Sequence, residues 1–163
     1  MKVVCGWCDA VLKPDSDGDG WVSHGICPAC SERMLETTRT PLNTLLDRLA
    51  FPVLALGADA VVVGANRTAS EYLGKPVAAL VRRRPGDVIE CKYAATKEGC
   101  GGTRHCEGCT LRRSILATHE DGEPRYGVLS DHAVGPPEHR RLVRLRFSTV
   151  RQDSLVILTV EKT

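Results

Sequence analysis

Eight cysteines, four near the start and four in the middle of a 163-residue chain, constrain this fold more than any other feature. Cys5, Cys8, Cys27 and Cys30 form the first block, and Cys91, Cys100, Cys106 and Cys109 the second, with none between or after. The opening MKVVCGWCDA shows neither a secretory signal nor a transit peptide, and the longest apolar runs fall far short of the roughly 20 residues that a membrane span requires. The expectation is a cytoplasmic protein with no membrane contact. Thiols stay reduced there, so closely spaced cysteines read as metal ligands or redox groups rather than as structural disulfides. At 42% apolar content the chain can build one ordinary domain and a small satellite without a disulfide framework.

The first block reads CGWC, eighteen residues, then CPAC. In this pattern two tight turns each present a pair of thiolates to one tetrahedral ion, which points to structural zinc at Cys5, Cys8, Cys27 and Cys30. About 30 residues cannot bury a useful core, so the metal would supply the folding energy of this unit. A thioredoxin-type redox pair at CGWC would need a helix starting at its first cysteine, and DAVLKPDSDGDG, with Pro14, follows instead. Asp15, Asp17, Asp19 and Gly20 match the first half of a calcium loop, but its twelfth position is Ile26 where a glutamate is required. A solvated turn is expected there. His24 is expected beside the site or at the surface, because four cysteines already fill a zinc shell.

Further along, SERMLETTRT reads as helix up to Thr40-Pro41, where the proline marks a boundary, and Leu42, Leu45, Leu46 and Leu49 form the stripe of a second helix ended by Phe51-Pro52. VLALG and VVVGA read as a hairpin around Ala58-Asp59-Ala60, and Asn66 caps a helix that Gly74 stops. A short helical piece covers Val77 to Val81. Beyond the second cysteine block, LRRSILATHEDG has helical periodicity ending near Gly122, and strands follow at Arg125 to Val134, Arg140 to Val150 and Leu155 to Glu161.

Two resemblances rest on these pieces. CGWC with SHGICPAC is similar to a small bacterial four-cysteine module, written SHGICPxC, that accompanies PAS-domain and response-regulator signalling proteins. The order of elements over residues 41–163, with LLDRLAFPVLALGADAVVVGANRTASEYLGK at its front and LVILTVEKT at its end, resembles a PAS domain. Lys162 departs from the acidic pair common at that last strand. The resemblances imply an α+β fold: a PAS-like five-stranded antiparallel sheet with helices on one side (41–163), preceded by a zinc-ribbon-like four-cysteine module (1–36). They also imply a sensing and dimerisation role.

The second block, ECKYAATKEGCGGTRHCEGC, would then lie on the helical side of the sheet, where PAS sensors carry their chemistry. It resembles a bacterial PAS variant in which GDVIxC is followed by GGCG, CxxC and a helix. Its glycines let the backbone turn tightly and free N–H groups to reach the sulfurs. The spacing of 8, 5 and 2 intervening residues is looser than two zinc knuckles, which favours an iron-sulfur cluster, of the 4Fe-4S kind, on Cys91, Cys100, Cys106 and Cys109. Zinc, or a thiol switch, remain the alternatives. His105 is expected to be exposed, and Arg82 to Arg84, Arg112 and Arg113 to form a solvated face.

The formal charge of +2 would fall to about −2 with two such tetrathiolate sites, which leaves little attraction to nucleic acid. The functional expectation is a stand-alone, non-enzymatic sensor of redox state or oxygen that signals to a partner protein in trans, as a homodimer. The alternative is a PAS interaction module stapled by two structural zincs.

Overall fold

The computed structural model describes residues 1–15, 18 and 20–161, and residues 35–41 through their backbone alone. Asp17 and Asp19 of the calcium-loop half-match, and Lys162 of the closing strand, lie outside the described residues. The chain divides into two compact units, Met1–Leu42 and Asn43–Thr163. No helix is long and apolar enough to cross a membrane among the described residues.

In the first unit three short strands, β1 (Lys2–Cys5), β2 (Val11–Lys13) and β3 (Val22–Gly25), form a sheet with β1 at its centre. β1 pairs antiparallel with β2 and parallel with β3. The turn between β1 and β2 is CGWCD, closed by Cys5 N–H to the Ala10 carbonyl at 2.8 Å and Asp9 N–H to the Cys5 carbonyl at 2.9 Å. Asp15 accepts the N–H groups of Gly18 and Gly20 and pairs with the N-terminal ammonium, so its carboxylate is used in organising a turn.

The helix α1 (Pro28–Leu46) starts where CPAC predicts a knuckle. Pro28 occupies its first position, where a missing N–H costs nothing, and the Cys27 sulfur accepts the Cys30 N–H at 3.4 Å. The expected break at Thr40-Pro41 is absent: one helix runs through Pro41 to Leu46. An interior proline costs its own rung of the ladder and crowds the carbonyl four residues back, yet the next turn keeps its bonds, with Asp47 N–H on the Asn43 carbonyl at 2.9 Å.

The second unit holds a five-stranded, wholly antiparallel sheet in the order β5-β4-β8-β7-β6. Its strands are β4 (Val53–Leu56), β5 (Val62–Ala65), β6 (Arg125–Val134), β7 (Arg141–Gln152) and β8 (Leu155–Glu161). Between β5 and β6 lie α2 (Arg67–Leu73), α3 (Val77–Leu80), α4 (Pro85–Val88), α5 (Arg104–Glu107) and α6 (Thr110–Asp121). Alternation sets the faces: along β7, Leu145 and Phe147 are buried while Arg144 and Arg146 are exposed and pair with Asp131 (2.7 Å) and Glu161 (2.9 Å). On the inner face Leu54, Leu56, Phe147 and Leu158 pack with Leu80, Val88, Leu111 and Ile115 from the helices. Gly74 and Gly122 close α2 and α6 in the left-handed region, at φ 63 and 77.

Asn66 ties this unit together. Fully buried, its side-chain oxygen accepts the N–H of Val53 (3.0 Å), at the start of β4, and of Ala69 (2.8 Å), in the first turn of α2. Its amide donates to the carbonyls of Leu46, Leu49 and Phe51, the strongest contact being 2.8 Å to Phe51. Asn66→Ala would strand several buried backbone groups at once. It is expected to lower unfolding stability by about 2–4 kcal/mol in urea denaturation with an unchanged m-value; a loss of about 0.5 kcal/mol or less would contradict this role.

Candidate metal centres

In the first unit the two knuckles converge. Cys5 ends β1, Cys8 follows in the turn, and Cys27 and Cys30 come from the start of α1. All four sulfurs lie within 4.8 Å of one another, and Cys8 and Cys27 stand 3.7 Å apart. A tetrahedral zinc with Zn–S bonds near 2.3 Å puts its sulfurs about 3.8 Å apart, so the Cys8–Cys27 separation matches a single-ion shell and the whole set lies within about 1 Å of that spacing. The thiols are strongly unequal. The Cys27 N–H, at 3.4 Å, and then the Trp7 N–H hold the Cys5 thiol down to about 6, while the sulfurs of Cys27 and Cys8 push the Cys30 thiol up to about 12. Neighbouring thiolates repel; a divalent cation at their centre makes four anionic forms compatible. His24, on β3, is exposed and outside the set.

The second block is arranged differently. Among the described residues, Cys5, Cys8, Cys27 and Cys30 are the one set of three or more ligating side chains closed to within 4.8 Å. Cys91, Cys100, Cys106 and Cys109 instead line one cavity of about 470 Å³ on the helical side of the sheet. Cys91 follows α4 and makes a lone bridge to Val134 of β6. Cys106 sits in α5, and Cys109 caps α6, its carbonyl accepting the Arg113 N–H at 2.9 Å.

Cys100 is positioned by Gly86, the second residue of α4. A Cβ at Gly86 would lie 2.6 Å from the Cys100 sulfur and 3.1 Å from its Cβ, so a larger residue would have to push Cys100 aside. Arg84 fixes the same segment by donating to the Cys100 carbonyl at 2.8 Å. Burial pushes the Cys100 thiol up. Cys106 moves the other way: burial raises it, but the Thr103 hydroxyl (3.3 Å), the Gly101 N–H (3.2 Å) and the Arg112 charge together bring it below its usual range. These donors stabilise a thiolate and are the kind that tune a metal-bound sulfur.

Several of these supports were outside the reach of sequence reading. Arg84 and Arg112 line the cavity, where a solvated face is expected for both, because the contacts come from chain segments brought together only by the fold. Thr103 has no sequence signal beyond its place three residues before Cys106. His105 is exposed, as expected, and stacks on Tyr93 at a centroid distance of 4.2 Å. Across the cavity the Ser130 hydroxyl and His132 Nε2 meet at 2.8 Å, both buried, with burial lowering the His132 pKa. The neighbouring carboxylate, Asp131, is engaged by Arg144 at 2.7 and 2.9 Å.

The strands follow the expected order, two at the start and three consecutive ones closing the sheet, while the helical stretch between them holds two short helices, α4 and α5, that the sequence pattern does not mark. The structure superposes on a LOV protein from Rhodobacter sphaeroides with a TM-score of 0.52 at 9% identity, covering 79% of this chain and 66% of that one. The fold is PAS-like. Other similar structures are the PAS domain of nitrogen regulation protein NR(II) from Vibrio parahaemolyticus (TM-score 0.49, 10% identity, 75% of this chain and 97% of that one) and a domain of a sensory box sensor histidine kinase/response regulator from Geobacter sulfurreducens (0.48, 11%, 76% and 92%). No protein-family model and no curated protein matches the chain.

The PAS-like unit makes a sharp prediction at Gly86. Gly86→Ala is expected to cost about 1–3 kcal/mol through overpacking against Cys100, whereas Gly108→Ala, whose nearest contact would be 4.0 Å away, should change stability by about 0.5 kcal/mol or less. Equal effects of the two variants in chemical denaturation would show that Cys100 is not held against Gly86.

Proposed function

We propose that residues 41–163 are a cytoplasmic PAS sensor domain that reports redox state or oxygen through a 4Fe-4S cluster on Cys91, Cys100, Cys106 and Cys109. Residues 1–36 are, in this reading, a structural zinc module of the SHGICPxC kind, with zinc on Cys5, Cys8, Cys27 and Cys30. The observation that carries the proposal is the contrast between the two sets of thiols. One is closed to the spacing of a single ion; the other is spread around a cavity with room for a larger group.

The second site fits such a group chemically. It offers four thiol donors, N–H and hydroxyl donors to one sulfur, and two guanidinium groups at the wall to offset anionic charge. Bound there, a cluster would supply one-electron chemistry and sensitivity to oxygen. The chain's own part is mechanical. Cys109 begins α6 and Cys91 bridges to β6, so a change in the grip of these thiols bears directly on a helix and an edge strand of the sheet. Output would pass to a signalling protein in trans through a homodimer, with no catalytic step.

A second reading has a specific feature in its favour. The Cys106–Cys109 pair is a two-residue-spaced knuckle like those of the first unit, which suits a second structural zinc and a metal-stapled interaction module.

Anaerobically purified protein tests both. The sensor reading predicts a broad absorption near 400 nm, about four irons with matching sulfide and about one zinc per chain. Cys100→Ser should abolish the colour and keep the zinc, and Cys27→Ser should do the reverse. A colourless protein with two zincs and no sulfide, even after reconstitution, would overturn the cluster and leave the second reading.

A further inference from the structure

A second cavity, of about 520 Å³, opens at the other end of α4 from the cysteine-lined one. Its floor is apolar and belongs to the core: Val88, Val134 and Leu145 are buried, with Leu73 and Val143 packed beside them. Its polar lining is mostly basic, with Lys75, His139 and Arg141 beside Tyr72 and Glu90. Lys75 reaches in with a largely buried side chain, donating to the Val88 carbonyl at 2.8 Å and pairing with Glu90 at 3.0 Å. Arg141 and His139 lie exposed on the wall, and Arg141 has no carboxylate partner among the described residues.

We propose that this cavity binds a small monocarboxylate with an apolar tail, the carboxylate held by Arg141 and Lys75 and the tail laid on Val88, Val134 and Leu145. An apolar floor of this size with a few convergent polar groups is the ordinary make-up of a small-molecule site. An unpaired guanidinium is a bidentate carboxylate receptor, and the Lys75 ammonium, with the Val88 carbonyl and Glu90 as partners, has a third N–H to offer a ligand. Inorganic anions match only the rim and neutral apolar molecules only the floor. The inference is independent of what the cysteines hold. It nevertheless bears on them, because Glu90, in the left-handed region at φ 57, immediately precedes Cys91.

The test is a titration of the full-length, metal-loaded protein with octanoate, followed by amide chemical shifts in a ¹H-¹⁵N correlation spectrum. Saturable shifts are expected at Leu73, Lys75, Arg141 and Val143, which line the cavity away from the cysteine segment in sequence. Lys75→Met and Arg141→Gln should each weaken binding by about tenfold, the scale of one lost charge-assisted contact. Arg141 is exposed, so its variant keeps the test meaningful if Lys75→Met fails to fold. The proposal is overturned if octanoate gives no saturable shift, if octylamine, 1-octanol or inorganic phosphate shifts the same amides with equal affinity, or if Arg141→Gln binds octanoate like the wild type.

Discussion

One buried amide organises the PAS-like unit. Asn66 holds the end of α1, the entry to β4 and the first turn of α2 through contacts with five backbone groups, three of them buried. The N–H groups of Val53 and Ala69 and the Leu46 carbonyl would otherwise be buried without a partner, a state more costly than the bond itself is favourable. From that node the antiparallel order follows: β4 is fixed against β5 on one side and β8 on the other, and β7 and β6 extend the sheet outward. The helices that follow α2 then have one apolar face to cover, and the cysteine-bearing segment is laid across it.

The two groups of thiols show how the same residue type is arranged differently by its backbone. In the first unit, a tight turn after β1 and the start of α1 each deliver two sulfurs to one point, because the paired cysteines are two residues apart on stiff supports. In the second, the thiols come from a post-helical turn, a glycine-rich loop, a four-residue helix and a helix cap. Supports so different in direction do not close on one point. They line a cavity, and the residues that shape it, Gly86 by its missing side chain and Arg84 by its grip on the Cys100 carbonyl, act on the loop rather than on the ligand.

Much of this was legible in the chain itself because the signals were local. The alternation Arg144, Leu145, Arg146, Phe147 named both the strand and its faces, and Asn66, Gly74 and Gly122 marked helix ends by chemistry that needs no distant partner. The strand positions after residue 122 were correct to within two residues for the same reason. Two local rules misled or fell short. Pro41 carries a strong stop signal yet lies inside α1, and β2 is three exposed residues whose pairing depends on β1 rather than on its own pattern. What could not be read was non-local: Arg84 and Arg112 at the cavity wall, Gly86 beneath Cys100, and Ser130 against His132 are juxtapositions made by the sheet and α4, and no periodicity announces them.

The central claim is that the two cysteine sets hold different groups. X-ray absorption on one anaerobic sample, read at both the zinc and the iron edges, tests it most directly. The account predicts a zinc shell of four sulfurs at about 2.3 Å, and an iron edge whose first shell is sulfur and whose second shell is iron. Zinc occupying both sites, with no iron-iron shell after reconstitution, would contradict it.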